Sequence, residues 1–295
     1  MDGVINVYKE KGFTSHDVVA KLRGILHTKK IGHTGTLDPD ATGVLPICVG
    51  KATKLCEFFT DRSKTYEAVM HLGIVTDTQD ITGKILSTTK DKDFADLSRE
   101  ELEENLEKIL SKFRGPILQI PPMYSALKVN GKKLYEYARE GIEVERKPRP
   151  IEIYQLDLGK IEGEFVHLTV SCSKGTYIRT LCHDIGQELG CGAYMESLER
   201  TRVGRFPIEE SVTLKQIEQG EYTLLSIEDA LSHLEKVVVN KDYDILVHNG
   251  NPLKKSDILA DETTQICLYD SANTFIGIYG FEERRNLWKP VKMFY

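Results

Sequence analysis

Between Gly32 and Gly43 the chain reads Gly32-His33-Thr34-Gly35-Thr36-Leu37-Asp38-Pro39-Asp40-Ala41-Thr42-Gly43, glycines set around a single proline. Glycine lets a backbone come close to a ligand. Pro39 fixes its own φ and biases Asp38 towards an extended conformation, so the Asp38 carboxylate sits on a stiff loop. A rigidly held carboxylate suits a nucleophile or a general base. By turn chemistry alone, a turn in which Asp38 or Asp40 bonds its own backbone fits the stretch at least as well. A second chemical pattern overlaps the first. Asp38-Pro39-Asp40-Ala41-Thr42 spells the D-x-D-x-T of Mg²⁺-dependent phosphatases that pass through an aspartyl-phosphate. That loop follows a strongly apolar strand, and the residues ahead of Asp38 make a poor one.

Outward from this loop the patterns are mixed. Gly3 to Tyr8 reads as a short strand. Thr14 or Ser15 then caps a helix with an apolar stripe of Val18, Val19, Leu22, Ile25 and Leu26. Lys30 to Gly43 is expected as loop. Val44 to Val49 and Lys64 to Leu72 read as strands. Ser98 with Glu101 forms a capping box that opens an amphipathic helix running to about Phe113. Asn130-Gly131 marks a tight turn, followed by a short helix ending near Gly141. Ile151 to Leu158 and Glu164 to Ser173 read as long paired strands, and Tyr177 to Leu189 as a helix closed by Gly190. Strands and helices alternate without a strict βαβ rhythm. The expected class is therefore α+β with a mixed, largely antiparallel sheet. From residue 235 short apolar runs alternate with turn residues at Asn249-Gly250-Asn251-Pro252, Asp261-Glu262 and Ser271 to Thr274, the texture of a small β-rich domain. The expected division is a catalytic domain over 1–234 and a second domain over 235–295.

The composition excludes several classes. No apolar run approaches the roughly 18–20 residues that cross a bilayer. Met1 to Gly12 lacks the basic-then-apolar pattern of a signal peptide, so a cytoplasmic protein is expected. Cys48, Cys56, Cys172, Cys182, Cys191 and Cys267 include no C-x-x-C pair, which argues against both a disulfide framework and a zinc module. The net charge of −6 argues against bulk coating of nucleic acid. Basic residues nevertheless cluster locally, from Lys9 to Lys30 and again at Arg146, Lys147, Arg149, Lys174, Arg179, Arg200, Arg202 and Arg205, and a local basic face can steer RNA.

The loop around Asp38 resembles the catalytic loop of the TruB family of pseudouridine synthases, whose pattern is close to G-H-x-G-x-L-D-P-x-A-x-G. Further blocks follow in that family's order. Lys64-Thr65-Tyr66-Glu67-Ala68 resembles its K-T-Y-x-A strand. Gly73, Thr76, Thr78, Asp80 and Gly83 resemble its G-x-x-T-x-T-x-D-x-x-G loop. Pro121 to Ala126 with Lys128 resembles P-P-x-x-S-A-x-K, and Gly175 to Leu181 resembles G-T-Y-I-R-x-L. The likeness runs over roughly residues 3–230. One departure is Glu10 in Lys9-Glu10-Lys11-Gly12-Phe13-Thr14-Ser15, where the family often carries proline.

The resemblance implies a stand-alone enzyme that isomerises the uridine at position 55, in the T-loop of tRNA. Breaking the N1–C1′ bond and rejoining the base through C5 involves no redox or phosphoryl step, so no cofactor and no metal is implied. Asp38 inherits the nucleophile's role, with attack at C6 or at C1′ both open. Tyr66 is expected to stack on the flipped base and to sit within reach of its protons, and Arg179 to pair with Asp38 and orient it. Tyr177 and Leu198 are expected to line the substrate pocket. His33 is expected to fill the space that the flipped nucleotide leaves in the RNA stack. Lys64 and Lys9 are expected phosphate or pocket contacts. Residues 124–150 resemble an RNA-clamping insertion in which Lys128, Lys132, Lys133, Arg139, Arg146, Lys147 and Arg149 face phosphates. The 235–295 segment stands where the family carries a PUA-type RNA-binding module. The implied partner is the tRNA T-arm, with no membrane, no obligatory protein partner and a monomeric state. The other classes are a noncatalytic RNA-binding or RNA-folding protein on the same fold, a guide-RNA-dependent relative, and the phosphatase.

Overall fold

The structure is a computed structural model that describes residues 1–60, 62–89, 98–258, 260 and 264–294. It begins with strand β1 (Gly3–Lys9). Thr14 and Asp17 then cap each other's backbone and start helix α1 (Ser15–Ile25), which buries Val18, Val19 and Leu22 along one face. Strands β2 (Ile31–His33) and β3 (Thr42–Val49) flank the glycine-rich loop. The expectation of loop from Lys30 onwards is corrected at β2, because Ile31 finds a buried place opposite Val49.

Helix α2 (Cys56–Thr60) leads into β4 (Lys64–Leu72), β5 (Ile74–Thr76) and β6 (Ile85–Thr88). The Ser98–Glu101 capping box opens α3 (Arg99–Phe113), whose buried face is Leu102, Leu106, Ile109 and Leu110. Strand β7 (Gly115–Gln119) precedes a hairpin of β8 (Lys128–Val129) and β9 (Lys132–Lys133). The hairpin turns at Asn130 and Gly131, with φ of 51° and 84°, the left-handed pair that a two-residue turn requires. Then come α4 (Leu134–Arg139), β10 (Arg149–Glu162), β11 (Phe165–Cys172), α5 (Ile178–Leu189), β12 (Ala193–Val203) and β13 (Phe206–Pro207). Helix α5 ends at Gly190, φ 84°.

These strands form one sheet in the order β1-β3-β12-β4-β11-β10-β7, with β2 added to β3 and β13 to β12. All its pairs are antiparallel except β12 with β3, so the sheet is mixed and largely antiparallel as expected. Strand β12 lies inside the sheet, between β3 and β4, yet its sequence does not read as a strand. It carries Glu196, Ser197, Glu199, Arg200, Thr201 and Arg202, and one of the side chains that it buries is an arginine. Helices α3 and α5 cover one face over β4, β10 and β11, with Leu106, Leu110, Leu181 and Ile185 packed against Met70, Leu156 and Leu168. Helix α1 packs separately on β1 and β3 through Val18 and Leu22 against Ile5, Val7, Leu45 and Ile47.

A second sheet is built from β14 (Glu235–Val238), β15 (Leu253–Lys254), β16 (Gln265–Tyr269), β17 (Phe275–Glu282) and β18 (Leu287–Met293) in the order β14-β16-β17-β18-β15. It has its own core around Ile266, Leu268, Ile276, Tyr279 and Trp288. It also packs on the larger unit, where Cys267, Tyr269, Ile278 and Phe294 meet Val44, Phe59, Val203 and Phe206. The expected turn at Asp261-Glu262 lies outside the described residues. No helix among the described residues is long and apolar enough to cross a membrane.

Candidate active site

Asp38 sits on the 34–41 loop, which is tied down from several sides. The Thr34 amide donates to the Pro46 carbonyl at 3.2 Å, and the Ala41 amide to the Asp38 carbonyl at 3.1 Å. The Leu37 amide donates to Ser15 Oγ at 2.9 Å, joining the loop to the start of α1. The Leu37 and Ala41 side chains are buried in the core under the sheet. Gly43 closes the loop at φ 105°, and a Cβ there would lie 2.2 Å from the Arg200 carbonyl oxygen across the parallel β3–β12 contact. Glycine is thus required at that position. With the backbone pinned, the Asp38 side chain remains 43 % exposed and faces a hollow.

Arg179 comes from the first turn of α5 and is buried. Its Nη1 lies 3.3 Å from Asp38 Oδ2 and 3.2 Å from Asp80 Oδ2, and its Nη2 donates to the Tyr124 carbonyl at 2.8 Å. Asp80 is itself fixed. Its Oδ1 accepts from Thr78 Oγ1 at 2.7 Å, the Thr82 amide at 3.0 Å and Thr82 Oγ1 at 2.5 Å. One guanidinium therefore bridges a buried, fully bonded carboxylate and an accessible one, the geometry that aims Asp38 into the hollow.

That hollow has a volume of about 420 Å³, and its wall includes Asp38, Lys64, Tyr66, Tyr177, Arg179 and Leu198. Six of the residues expected from the sequence thus meet on one surface. Tyr124, Ser125 and Tyr135 from the 124–150 segment complete the wall. An adjoining hollow of about 310 Å³ shares Asp38, Arg179 and Leu198 and is lined also by Asp40, Asp80 and Glu196. Burial pushes the Tyr66 hydroxyl up to about 12, against the opposing pull of Arg200. Tyr177 caps α5, and its backbone N–H and carbonyl are both held by the Gln119 side chain, at 2.9 and 3.0 Å.

Two expected residues stand elsewhere. Lys9 is corrected from a pocket contact to a buried strut. It is 0 % exposed, and its Nζ donates to the carbonyls of Phe13 at 2.7 Å and of Glu10 and Pro39 at 3.1 Å. Burial pulls the Lys9 ammonium down to about 8, although Asp38 and Asp40 favour its charge. His33 lies at the head of the loop, outside the wall of either hollow. Its Nδ1 accepts from the Gly35 amide at 3.3 Å, and its ring meets His16 edge-on at 5.3 Å. Burial first, then the neighbouring charges of His16 and Arg200, lower its affinity for a second proton. Lys64 reaches the wall with its stem while its ammonium donates to the carbonyls of Thr60 and Arg62 at 2.8 and 2.7 Å. In the 124–150 segment, Lys132 pairs with Glu140 and Arg146 with Glu143, so two of the seven cationic side chains expected to face phosphates already carry carboxylate partners.

Sequence reasoning gave no role to Asp80, Gln119 or Arg200. Asp80 stood in a recognised block and could have been found from it. Gln119 and Arg200 carry no local signal. The phosphatase reading also meets a structural objection, since β2 ends at His33 and no strand runs into Asp38. Among the described residues no cluster of three or more His, Cys, Asp or Glu side chains could hold a metal.

Comparison with known proteins supplies independent findings. Residues 23–178 match the model of the "TruB family pseudouridylate synthase (N terminal domain)", and residues 179–242 that of the "tRNA pseudouridylate synthase B C-terminal domain". A protein of Lachnoclostridium phytofermentans named tRNA pseudouridine synthase B is 48 % identical over 314 aligned positions, covering 100 % of both chains. Its namesake from Listeria monocytogenes is 46 % identical, covering 99 % of this chain and 98 % of its own. Among solved structures, a chain of a Cbf5-Nop10-Gar1 complex superposes with a TM-score of 0.73 at 28 % identity, over 99 % of this chain and 85 % of its own. A chain of an H/ACA RNP bound to a substrate RNA containing 2′-deoxyuridine does so with a TM-score of 0.71 at 26 % identity and the same coverage.

Proposed function

The chain belongs to the TruB family of pseudouridine synthases, and from that premise we propose that it isomerises a uridine of tRNA to pseudouridine, at position 55 of the T-loop, with Asp38 as the nucleophile. The observation that carries this reading is the Asp38–Arg179 contact of 3.3 Å at the wall of a 420 Å³ hollow that also presents Tyr66. A hollow of that size is in the usual range for one small ligand, roughly 300–1,000 Å³. A uridine inside a folded RNA arm has to be flipped out to enter it. Tyr66 and Leu198 then enclose the base, and Tyr177 closes the side from which α5 begins. Asp38, held by Arg179, attacks the nucleotide. Attack at C6 and attack at C1′ both suit a carboxylate in this position. His33 stands beside the loop, where it fills the space left in the RNA stack. The 124–150 segment and the second sheet hold the arm by its shape.

The reaction requires neither a redox cofactor nor a metal, and we assign it to a cytoplasmic enzyme acting on tRNA as a monomer without a guide RNA or an obligatory protein partner. The test is incubation with an unmodified tRNA transcript in chelator, followed by mapping of pseudouridine. A single modification in the T-loop is expected, and Asp38→Asn is expected to abolish it. Full activity in that variant would remove Asp38 from the nucleophile's role. Tight tRNA binding without modification would favour an RNA-folding protein instead.

A further inference from the structure

Arg200 heads the fully buried side chains by size, at 0 % exposure, in the floor of the hollow that holds Asp38. Its Nε donates to the Val44 carbonyl at 2.7 Å, and its Nη1 and Nη2 lie 3.4 Å from the carbonyls of Thr36 and Gly35. Tyr66 is its cross-strand partner on β4, and both residues line the hollow, so the Tyr66 hydroxyl and the guanidinium share one side of the sheet. Among the described residues no carboxylate pairs with it. A buried charge without a counterion is costly, and the fold nevertheless keeps this one against the two residues that lead to Leu37 and Asp38.

The direction of the Tyr66 contact follows from elementary chemistry. A guanidinium has only donors. In a hydrogen bond between the two the Tyr66 oxygen is therefore the acceptor, and its own hydrogen is left to point elsewhere. Tyr66 forms part of the wall of the hollow, so that hydrogen can serve whatever occupies it.

We propose that Arg200 is a positioning residue for the isomerisation: it holds the Tyr66 hydroxyl as a hydrogen-bond donor to a carbonyl oxygen of the flipped uracil, and its uncompensated charge stabilises the base while that base is anionic. This rests on reading the site as a pseudouridine synthase. In the step concerned, the N1–C1′ bond breaks and its electron pair stays on the base. The detached uracil then carries one negative charge, spread over its nitrogen and carbonyl oxygens. Prior attack of Asp38 at C6 would load the same ring, so the need does not depend on which carbon is attacked. When C5 bonds to C1′, the pair returns to the sugar, the Asp38 carboxylate is released, and the C5 proton is lost as N1 gains one. Tyr66 keeps its proton throughout and acts only as a donor. Its burial, which holds the hydroxyl to about 12, supports that assignment.

Single-turnover rates are measured for the wild type, Y66F and R200K on a tRNA transcript and on transcripts with 2-thiouridine or 4-thiouridine at the target. A thiocarbonyl is a poorer acceptor. Removal of a donor to a developing oxyanion lowers a rate on the order of 100- to 1000-fold, and Y66F is expected in that range. One of the two thio substitutions is expected to slow the wild type by about tenfold, as for a weakened charge-assisted hydrogen bond, and to leave Y66F and R200K unaffected. R200K is expected to lower kcat while leaving KM for tRNA unchanged. Equal thio effects in wild type and Y66F, at both oxygens, would overturn the proposal. A second measurement needs no Arg200 variant. Wild type and Y66F should share one shape of pH–rate profile between pH 6 and 10, since Tyr66 never acts as a base. A wild-type rate that climbs with pH, where that of Y66F stays flat, would make Tyr66 a base and overturn the assignment of Arg200. A wild type that forms no pseudouridine at all would instead refute the functional reading itself.

Discussion

Asp80→Asn tests the network behind the nucleophile with the smallest change of shape. Asp80 is 8 % exposed, and its two oxygens have different partners. Oδ1 takes three donors from Thr78 and Thr82, and Oδ2 faces Arg179 Nη1 at 3.2 Å. In the asparagine the amide oxygen stays with the three donors, so the NH₂ is turned towards Nη1, donor against donor. The variant loses one charge-assisted hydrogen bond, worth roughly 1.5–3 kcal/mol. Asp38 and the Tyr124 carbonyl still hold Arg179, so the larger cost of an isolated buried charge does not arise. For a chain of this size about 1.5–3 kcal/mol corresponds to a melting temperature lower by roughly 3–12 °C. The rate should fall further than the stability. Arg179 aims Asp38, and a misplacement of about 1 Å at a reacting group costs on the order of 100-fold. Thermal melts and single-turnover pseudouridine formation on a tRNA transcript measure both quantities. A variant with wild-type kcat and wild-type melting temperature would refute the bridging role of Arg179. A loss confined to KM would refute it too, since Asp80 would then be acting on tRNA binding.

Gly43→Ala sets a Cβ 2.2 Å from a backbone oxygen at a φ of 105°, so strain of about 1–3 kcal/mol and a displaced Asp38 loop are expected, read as a lowered melting temperature and a kcat reduced at least tenfold. Burial raises the Asp184 carboxyl to about 6 from its ordinary 3.8, so the fold disfavours the charged form. Below pH 3.8 the group is protonated in both folded and unfolded chains, and above pH 6 it is ionised in both, with the burial penalty then fully present. Asp184→Asn is therefore expected to raise the melting temperature at pH 7.5 and to leave it unchanged at pH 3.5, which paired melts at the two pH values check. Cys56 is half-buried and its thiol is lowered by a hydrogen bond from Cys48, while burial raises the Cys172, Cys182, Cys191 and Cys267 thiols and Cys48 is raised well above its ordinary value. Limited alkylation of the native protein followed by peptide mapping should find Cys56 modified first.

Much of the molecule is legible in its residues one at a time. Local chemistry announces α1 through Thr14 and Asp17, α3 through Ser98 and Glu101, and the hairpin turn through Asn130 and Gly131, because capping boxes and left-handed turns act within a few residues. The ordered blocks name most of the residues that line the hollow, from Asp38 and Tyr66 to Tyr177 and Arg179, since each is carried by its own short pattern, whereas Leu198 carries none and is placed by the family resemblance alone. Pairing across the fold is another matter. Strand β12 reads as a polar stretch, and only its pairing with β3 and β4 makes it an interior strand of the sheet. Lys9 reads as a phosphate or pocket contact, yet the closing of the Asp38 loop over it turns its ammonium to three carbonyls. Asp80 lies 99 positions from Arg179, and Arg200 lies 156 from Val44. The order of residues sets which chemical groups are available and the local backbone that presents Asp38. Which charges face one another, and which are cut off from water, is set by folding, because burial and distance belong to the folded chain and not to any stretch of it.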